Sequence, residues 1–331
     1  MVETFLCLYN YFDSRRIGEE KMKDNEIKIG AFQAAFSYVL WGLLPIYWKF
    51  LHHVNADEIL ANRIIWSFIL MVLLLLLTKR WTPFMETLKG LKKNQKRLWA
   101  LVTASLLVSC NWFVYIWAVN HDQMIQASLG YYINPLVSVL LGVLFLKEKL
   151  SSAQYVSFFM AIVGVLILSF SYGQIPWISL ALAFSFGLYG LAKKLIIVES
   201  AIGLTLETMV ITPLALGYVL FLFIQGNHAF ASISLSTDLL LIGAGAATAL
   251  PLLYFAKGAQ KIPLSMLGFI QYIAPTLTLI LGVFLYGEHF SKTHLLSFIF
   301  IWGALTIYSL SRSKLFINME AKWRKGKGLG A

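Results

Sequence analysis

Ten long apolar runs, separated by shorter polar segments, make up most of the chain. Each run has about the 20 residues that a helix needs to cross a bilayer. The runs are continuous and do not alternate with polar residues, which favours helices over the strands of a barrel. The pattern predicts an all-α integral membrane protein with ten transmembrane helices, near residues 30–51, 56–78, 98–119, 124–146, 152–171, 175–195, 201–224, 237–258, 264–286 and 291–312.

The composition excludes an ordinary soluble domain. Hydrophobic residues make up 59% of the chain and charged residues 13%, whereas soluble domains carry about 25% charged residues. The apolar surplus therefore has to face lipid. The two cysteines, Cys7 and Cys110, provide neither a disulfide framework nor a metal site.

Basic residues indicate how the chain crosses the membrane. If the N-terminus is cytoplasmic, all but three of the 27 lysines and arginines lie in or next to cytoplasmic segments. The exceptions are Lys292 in an outer loop and Lys49 and Arg63 within spans. Because basic loops stay in the cytoplasm, both termini are predicted to be cytoplasmic. The net charge of +11 is then a topology signal and a contact with membrane lipid, and no nucleic-acid partner is expected.

The two halves of the chain resemble each other. Seven residues of 132–148 recur 140 positions later: Tyr132, Ile133, Pro135, Leu141, Gly142, Val143 and Glu148 return as Tyr272, Ile273, Pro275, Leu281, Gly282, Val283 and Glu288. Since five helices are an odd number, the second half enters the membrane from the opposite side, as in many carriers. We predict two inverted five-helix repeats within four segments: a polar extension at 1–29, repeats at 30–171 and 175–312, and a basic cytoplasmic tail at 313–331.

Several motifs give the chain a family resemblance. They are WG at 41–42, ADEI at 56–59, NW at 111–112, IWAVN at 116–120, ASLGYYINPL at 127–136, ET at 207–208, GFIQYI at 268–273 and PT at 275–276. With these motifs the chain resembles the RarD-type branch of the EamA family, in the drug/metabolite transporter superfamily. The resemblance covers residues 30–312. It implies a ten-helix carrier of the bacterial inner membrane, built from two inverted units and assigned to efflux of metabolites or drugs.

Two charges within the spans need an explanation, because each costs about 2.5–3.5 kcal/mol to insert. Arg63 lies near the outer side of its span and Glu207 near the inner side of its repeat equivalent, so a direct bridge between them is not expected. In one interpretation Arg63 attracts an anionic substrate group and Glu207 is a proton site or binds a cationic group. In the other, each charge only fixes helix packing, with Lys193 or Lys257 pairing with Glu207 and Glu288 with Arg63.

Uncharged polar and aromatic side chains complete the candidate cavity. Asn111 and Tyr115 share one helical face, Asn134 precedes a mid-span proline, Gln271 and Tyr272 lie along the ninth span, and Trp66 shares a face with Arg63. The alternative for each is a hydrogen bond or packing contact between helices. Trp48, Trp81, Trp99 and Trp177 are interpreted as anchors at the membrane interface.

The sequence contains no phosphate-binding loop, zinc motif or Ser-His-Asp grouping, so no enzyme activity, cofactor or metal is predicted. The six histidines are interpreted as exposed interfacial residues. We predict a secondary transporter, acting as an exporter, for small metabolites or drug-like compounds. The alternatives are a non-transporting membrane regulatory or assembly protein and a membrane enzyme for lipid-linked substrates.

The predicted orientation has a direct test. Green fluorescent protein fused after Ala331 should fluoresce, because that protein folds only in the cytoplasm, and alkaline phosphatase fused there should be inactive. The same reporters fused after Asn227, in a predicted outer loop, should give the opposite result. Active phosphatase at Ala331 would contradict the cytoplasmic C-terminus.

Overall fold

The computed structural model of the chain describes residues 2–120, 124–171, 173, 176–196, 198–285 and 291–311. It describes the backbone alone at 2–23, 92, 96, 116, 119, 120, 124–126 and 128. Glu288, His121, His289 and the predicted tail at 313–331 lie outside the described residues. Regular structure in the described part of the chain is entirely helical.

Within the described residues, twelve α-helices and one π-helical turn follow one another. They are α1 Val2–Lys49, α2 Ala56–Leu77, α3 Trp81–Lys93, α4 Gln95–Asn120, α5 Met124–Phe145, α6 Ser152–Ser171, α7 Trp177–Leu195, α8 Ser200–Gln225, α9 Leu235–Lys261, α10 Leu264–Gln271, α11 Ile273–Ile280, the π-turn Leu281–Leu285, and α12 Lys292–Ser311.

The prediction of an all-α membrane protein is confirmed. Nine helical segments within the described residues are long and apolar enough to cross a membrane, and α5 contains a shorter apolar stretch, Leu129–Phe145. The segments begin and end close to the ten predicted spans, with α10, α11 and the π-turn together forming the ninth. The side of the membrane on which the termini lie stays a prediction.

The predicted polar extension is helical. Helix α1 begins at Val2 and continues without interruption into the first span. Its segment Asp24–Lys49 is long and apolar enough to cross a membrane. Asp24 and Lys28 form an exposed ion pair of 2.7 Å one turn apart, and pairs at this spacing support a solvated helix. The polar residues before position 30 limited the predicted span, but they do not interrupt the helix.

Helix α3 was not predicted. Its sequence is too short and too charged to cross a bilayer, so this basic stretch looked like a loop. The buried side chains Phe84 and Leu91 pack in one apolar cluster with Leu75 of α2 and Leu206 of α8, while Lys89 is exposed. Apolar residues recurring on one face of a helix produce this arrangement along a membrane surface.

Most strong helix contacts join one half of the chain to the other. Helix α1 packs on α9, α10 and α11, α2 on α8 and α9, α4 and α5 on α7, α5 on α10, and α6 on α12. Small residues permit the closest approaches. At Gly245 of α9, an added Cβ would lie 2.5 Å from the carbonyl carbon and Cβ of Trp66 on α2, so no larger residue fits without displacing a helix.

The ninth span is broken. Helix α10 ends at Gln271, α11 begins at Ile273, and the π-turn follows at Leu281. Pro275 has no N–H with which to continue the helical hydrogen bonds, which leaves the carbonyl of Gln271 without its helical donor. Backbone irregularity at membrane depth occurs where protein or a cavity surrounds it.

The close contact at Gly245 yields a stability prediction. Gly245→Ala should lower the free energy of unfolding by about 1–3 kcal/mol, because the new methyl group overlaps α2. The matched control is Gly217→Ala in α8, where an added Cβ meets nothing within 4 Å. Thermal unfolding in detergent should show a lower Tm for the first variant and an unchanged or higher Tm for the second. Equal Tm values would contradict the predicted packing of α2 on α9.

Candidate functional site

Arg63 lies in the half of α2 nearest the predicted outer face, and three other helices hold its side chain. The Nε atom donates a hydrogen bond to Thr248 Oγ1 of α9, with 2.9 Å between the two atoms. The guanidinium carbon lies 4.9 Å from the ring centroid of Trp112 on α4 and 5.2 Å from that of Trp48 on α1. Indole faces attract a cation, so residues from both halves fix this group in place.

The charge of Arg63 has no carboxylate partner among the described residues. Their four ion pairs join Lys28 to Asp24, Arg80 to Glu199, Lys193 to Glu207, and Lys261 to Glu26. A guanidinium carries five N–H donors, and within the described part of the chain only the Nε donor of Arg63 has a hydrogen-bond acceptor. The Nη donors therefore remain available.

Two tyrosines extend this polar region. The rings of Tyr115 on α4 and Tyr131 on α5 meet edge to face, with centroids 5.8 Å apart. Both tyrosines lie close enough to Arg63 to interact with its charge. Tyr131 as a residue is 46% exposed. Of the predicted cavity residues, the structure brings Arg63 and Tyr115 together.

Trp66 and Asn111 make contacts between helices instead. Trp66 packs against Gly245 of α9 and against the ring of Phe230, 6.0 Å away between centroids. Asn111 Nδ2 donates to the carbonyl oxygen of Leu182 and to Ser185 Oγ on α7, each at 2.9 Å. For these two predicted site residues the geometry matches the packing alternative.

Asn134, Gln271 and Tyr272 lie at the junction of α5 with the broken ninth span. Tyr272 donates to the carbonyl oxygen of Tyr132 at 3.3 Å, and Tyr132 donates to that of Pro275 at 3.5 Å. Gln271 is buried, and Asn134 is 4% exposed with its Oδ1 lacking a hydrogen-bond donor among the described residues. Tyr132 and Tyr272 occupy equivalent positions in the two repeats. Their hydrogen bonds connect the two halves of the chain close to the Oδ1 atom of Asn134.

Glu207 is paired. Its Oε1 lies 2.7 Å from Lys193 Nζ, and its Oε2 accepts a hydrogen bond from the Tyr189 hydroxyl at 3.0 Å. Both charged side chains are almost fully buried, at 4% exposure for the lysine and 3% for the glutamate. The sequence offered Lys193 and Lys257 as partners, and the structure brings Lys193 to the carboxylate. Arg63 and Glu207 form no ion pair with each other.

Glu148, the glutamate of the first repeat motif, caps another helix. Its two carboxylate oxygens accept hydrogen bonds from the backbone N–H groups of Leu264 at 2.6 Å and Ser265 at 2.9 Å, at the start of α10. A carboxylate is stabilised there by unpaired N–H groups and the helix dipole. An added Cβ at Gly142 would lie 2.8 Å from Glu148 Oε2, which explains the small residue.

Glu58 makes similar hydrogen bonds to backbone N–H groups at the predicted outer face. We call each of these two carboxylate contacts, that of Glu148 and that of Glu58, a clasp. The buried carboxylate of Glu58 accepts hydrogen bonds from the backbone N–H of Ala229, at 2.8 Å, and from that of Phe230, at 3.0 Å. It fixes the segment between α8 and α9. Both clasps join the first half of the chain to the second, and neither carboxylate forms an ion pair with another described residue.

Sequence reasoning missed Trp48, Thr248 and Tyr131 as neighbours of Arg63. Trp48 was interpreted as an interface anchor because it lies near the end of its span, whereas the structure packs it on the guanidinium. Tyr131 belonged to the longest family motif, which was the available signal. Thr248 lies in an alanine-rich stretch with no distinguishing pattern.

No cluster of three or more metal-ligating side chains occurs among the described residues. Of the four described histidines, His52 and His53 follow α1, His228 stacks on Phe223, and His294 contacts Ser291.

Comparison with known protein families assigns the chain to one of them. The model of the EamA-like transporter family matches residues 28–170 and again residues 175–310. The chain belongs to this family. The two matches divide the chain close to the boundary expected between the repeats, and the predicted family resemblance is confirmed.

EamA-family relatives cover nearly the whole chain. It is 53% identical over 294 residues to the uncharacterized transporter YojE of Bacillus subtilis (strain 168), spanning 88% of this chain and 97% of YojE. It is 41% identical over 287 residues to protein RarD of Escherichia coli (strain K12), spanning 87% and 96% of the two chains. A protein of known crystal structure has the same fold, with a TM-score of 0.66 at 17% identity, over 85% of this chain and 97% of that one. The family and the names of these relatives point to a multi-pass membrane transporter and away from an enzyme.

The Lys193–Glu207 pair generates a stability prediction. Lys193→Met should lower the free energy of unfolding by roughly 3–5 kcal/mol, because it leaves a buried carboxylate without its cation. The control is Arg80→Met, which breaks the exposed 3.1 Å pair with Glu199 and should change that free energy by less than about 1 kcal/mol.

Equilibrium unfolding in mixed micelles measures both changes. The double variant Lys193→Met/Glu207→Leu should recover much of the loss, because the unpaired charge is gone. A small effect of Lys193→Met, equal to that of Arg80→Met, would contradict the buried ion pair.

Proposed function

We propose that this protein is a secondary transporter that moves small molecules by alternating access, with the Arg63 region as its substrate site. The observation that carries the proposal is the partly buried Arg63, whose guanidinium has no carboxylate partner among the described residues. Ionisable groups inside a membrane are expensive and mark substrate or ion pathways. The Arg63 guanidinium is held between α1, α2 and α4 of the first half and α9 of the second. A change in the packing of the halves would therefore alter the access of a substrate to this group.

The arrangement of the helices supports two inverted repeats. If the first five spans correspond in order to the last five, the contact of α1 with α9 is equivalent to that of α7 with α4. The contact of α2 with α9 is likewise equivalent to that of α8 with α4. Contacts that occur in equivalent pairs are expected of two halves related by a two-fold axis. Such halves can exchange conformations, and the exchange opens a central site to the other side.

The broken ninth span supports transport as well. Carriers of several folds use discontinuous helices near the bilayer midplane, where free backbone groups and helix ends meet the substrate. Here the break at Tyr272 lies beside the under-satisfied Asn134 and the buried Gln271. We therefore keep Asn134, Gln271 and Tyr272 as candidates for the inner wall of the pathway.

The clasps offer a physical basis for two access states. In our proposal, the bonds between Glu148 and the start of α10 close the predicted cytoplasmic side. Within the second half, Lys194 Nζ holds α7 to the end of α9 by donating hydrogen bonds to the carbonyl oxygens of Ala259 and Ile262. Separation of the two halves on that side would break the hydrogen bonds of Glu148 to Leu264 and Ser265, and the exposed groups would gain hydrogen bonds from water.

The depth of Glu207 in its span suggested a proton site, but the contacts of its carboxylate do not favour proton coupling. The carboxylate already has a cation and a hydroxyl donor, which favours a packing role. Export as the direction and the inner membrane as the location rest on the family resemblance and on the bacterial relatives.

Transport by purified protein in proteoliposomes tests this function. We would measure uptake of radiolabelled amino acids, nucleosides, organic acids and amphenicols, each with and without an imposed proton gradient. Saturable uptake of at least one compound is expected, and Arg63→Gln should reduce it at least tenfold. The matched control, Arg97→Gln, replaces an exposed arginine near the start of α4 and should transport normally. Absence of saturable uptake by folded protein would favour the non-transporting alternative.

A further inference from the structure

The charge balance around Arg63 defines what it can bind. The side chains in contact with its guanidinium, from Thr248, Trp48 and Trp112, are all uncharged, and so are the neighbouring tyrosines. The acidic residues one to two turns earlier on α2 are engaged elsewhere: Asp57 accepts a hydrogen bond from the Tyr218 hydroxyl, and Glu58 binds two backbone N–H groups. The described site therefore carries a single positive charge.

The contacts of the guanidinium restrict the direction from which a ligand approaches. Two indole rings lie over the cation, and Thr248 occupies the Nε donor. The Nη donors remain, and they form a planar fork that matches the two oxygens of a carboxylate. A lysine at this position would offer the same charge without the fork.

The surroundings add an apolar, flat boundary. Trp48 and Trp112 are partly buried, and the ring of Tyr131 is partly exposed. Aromatic faces favour flat apolar groups, and both tyrosines lie close enough to Arg63 to interact with its charge.

We propose that the transported ligand is a small organic monocarboxylate with a flat apolar body, bound through its carboxylate to the Nη groups of Arg63. This inference rests on the proposed transport function and specifies its substrate class. A monoanion neutralises the site, whereas a dianion brings an excess negative charge into a region of low polarity and a cation adds to the positive one. A neutral ligand leaves the guanidinium charge uncompensated.

Matched pairs of carboxylates and amides test the charge requirement. The probes are benzoate, phenylacetate and cinnamate with their primary amides, which have nearly the same shape without the charge. Binding to the full-length protein in nanodiscs is followed by the rise in Tm and by calorimetric titration. At least one carboxylate should raise the Tm and bind at least about tenfold more tightly than its amide, as expected for charge-assisted hydrogen bonds.

Variants then locate the binding. Arg63→Gln should abolish the preference for the carboxylate, Arg63→Lys should retain part of it, and Arg97→Gln should leave it intact. Loss of the preference in Arg63→Gln, with the variant still folded by its own unfolding transition, supports the proposal. A preference that persists in Arg63→Gln overturns it, as does the absence of any carboxylate effect on wild-type protein.

Transport separates this inference from the function on which it rests. Uptake of the same carboxylates that depends on Arg63 supports both. Saturable uptake of a neutral amphenicol or a cation, unaffected by Arg63→Gln, would overturn the monocarboxylate class and leave the transporter standing. Absence of saturable uptake of every compound would overturn both.

Discussion

The hydrocarbon core of a membrane supplies no hydrogen bonds and no counter-ions, so each polar group within a span needs a partner from the protein. This constraint makes every described segment that crosses the membrane helical. It also accounts for the carboxylates: Glu207 pairs with Lys193, while Glu58 and Glu148 bind backbone N–H groups at the ends of other elements. Arg63 is the described intramembrane charge for which aromatic faces and one hydroxyl take the place of an opposite charge. In our account a ligand provides that charge.

The same constraint connects the fold to the proposed motion. Glu58 and Glu148 each join one half of the chain to the other, near opposite predicted faces of the membrane. Bonds of this kind are strong while water is excluded, and water replaces them once the face opens. Close helix contacts at Gly245 and Gly142 leave little freedom for intermediate positions, which favours two discrete packings over continuous deformation.

Local sequence patterns predicted what depends on local physics. Long apolar runs identified the spans, because the length of a spanning helix is set by the thickness of the bilayer. Arg63 and Glu207 stood out because charges are rare in such runs. Helix α3 was missed because it packs along the surface and needs neither the length nor the apolarity of a span.

Partners across the fold could not be predicted in the same way. Thr248 lies 185 positions from Arg63, and no local pattern connects them. The choice between Lys193 and Lys257 for Glu207 depended on how α7, α8 and α9 rotate about their axes, which residue spacing does not define. Asn111 was a candidate for the cavity, with a hydrogen bond between helices as the alternative, and only the packing of α4 on α7 revealed its contacts with Leu182 and Ser185.

We infer that Arg63 serves a ligand and not the packing of the helices. The most direct test compares, for Arg63→Gln, the free energy of unfolding without ligand with the transport rate per folded molecule. We expect an unfolding free energy equal to or higher than that of the wild type, together with loss of transport, because the substitution removes an uncompensated charge. A loss of several kcal/mol of stability with normal transport per folded molecule would contradict it.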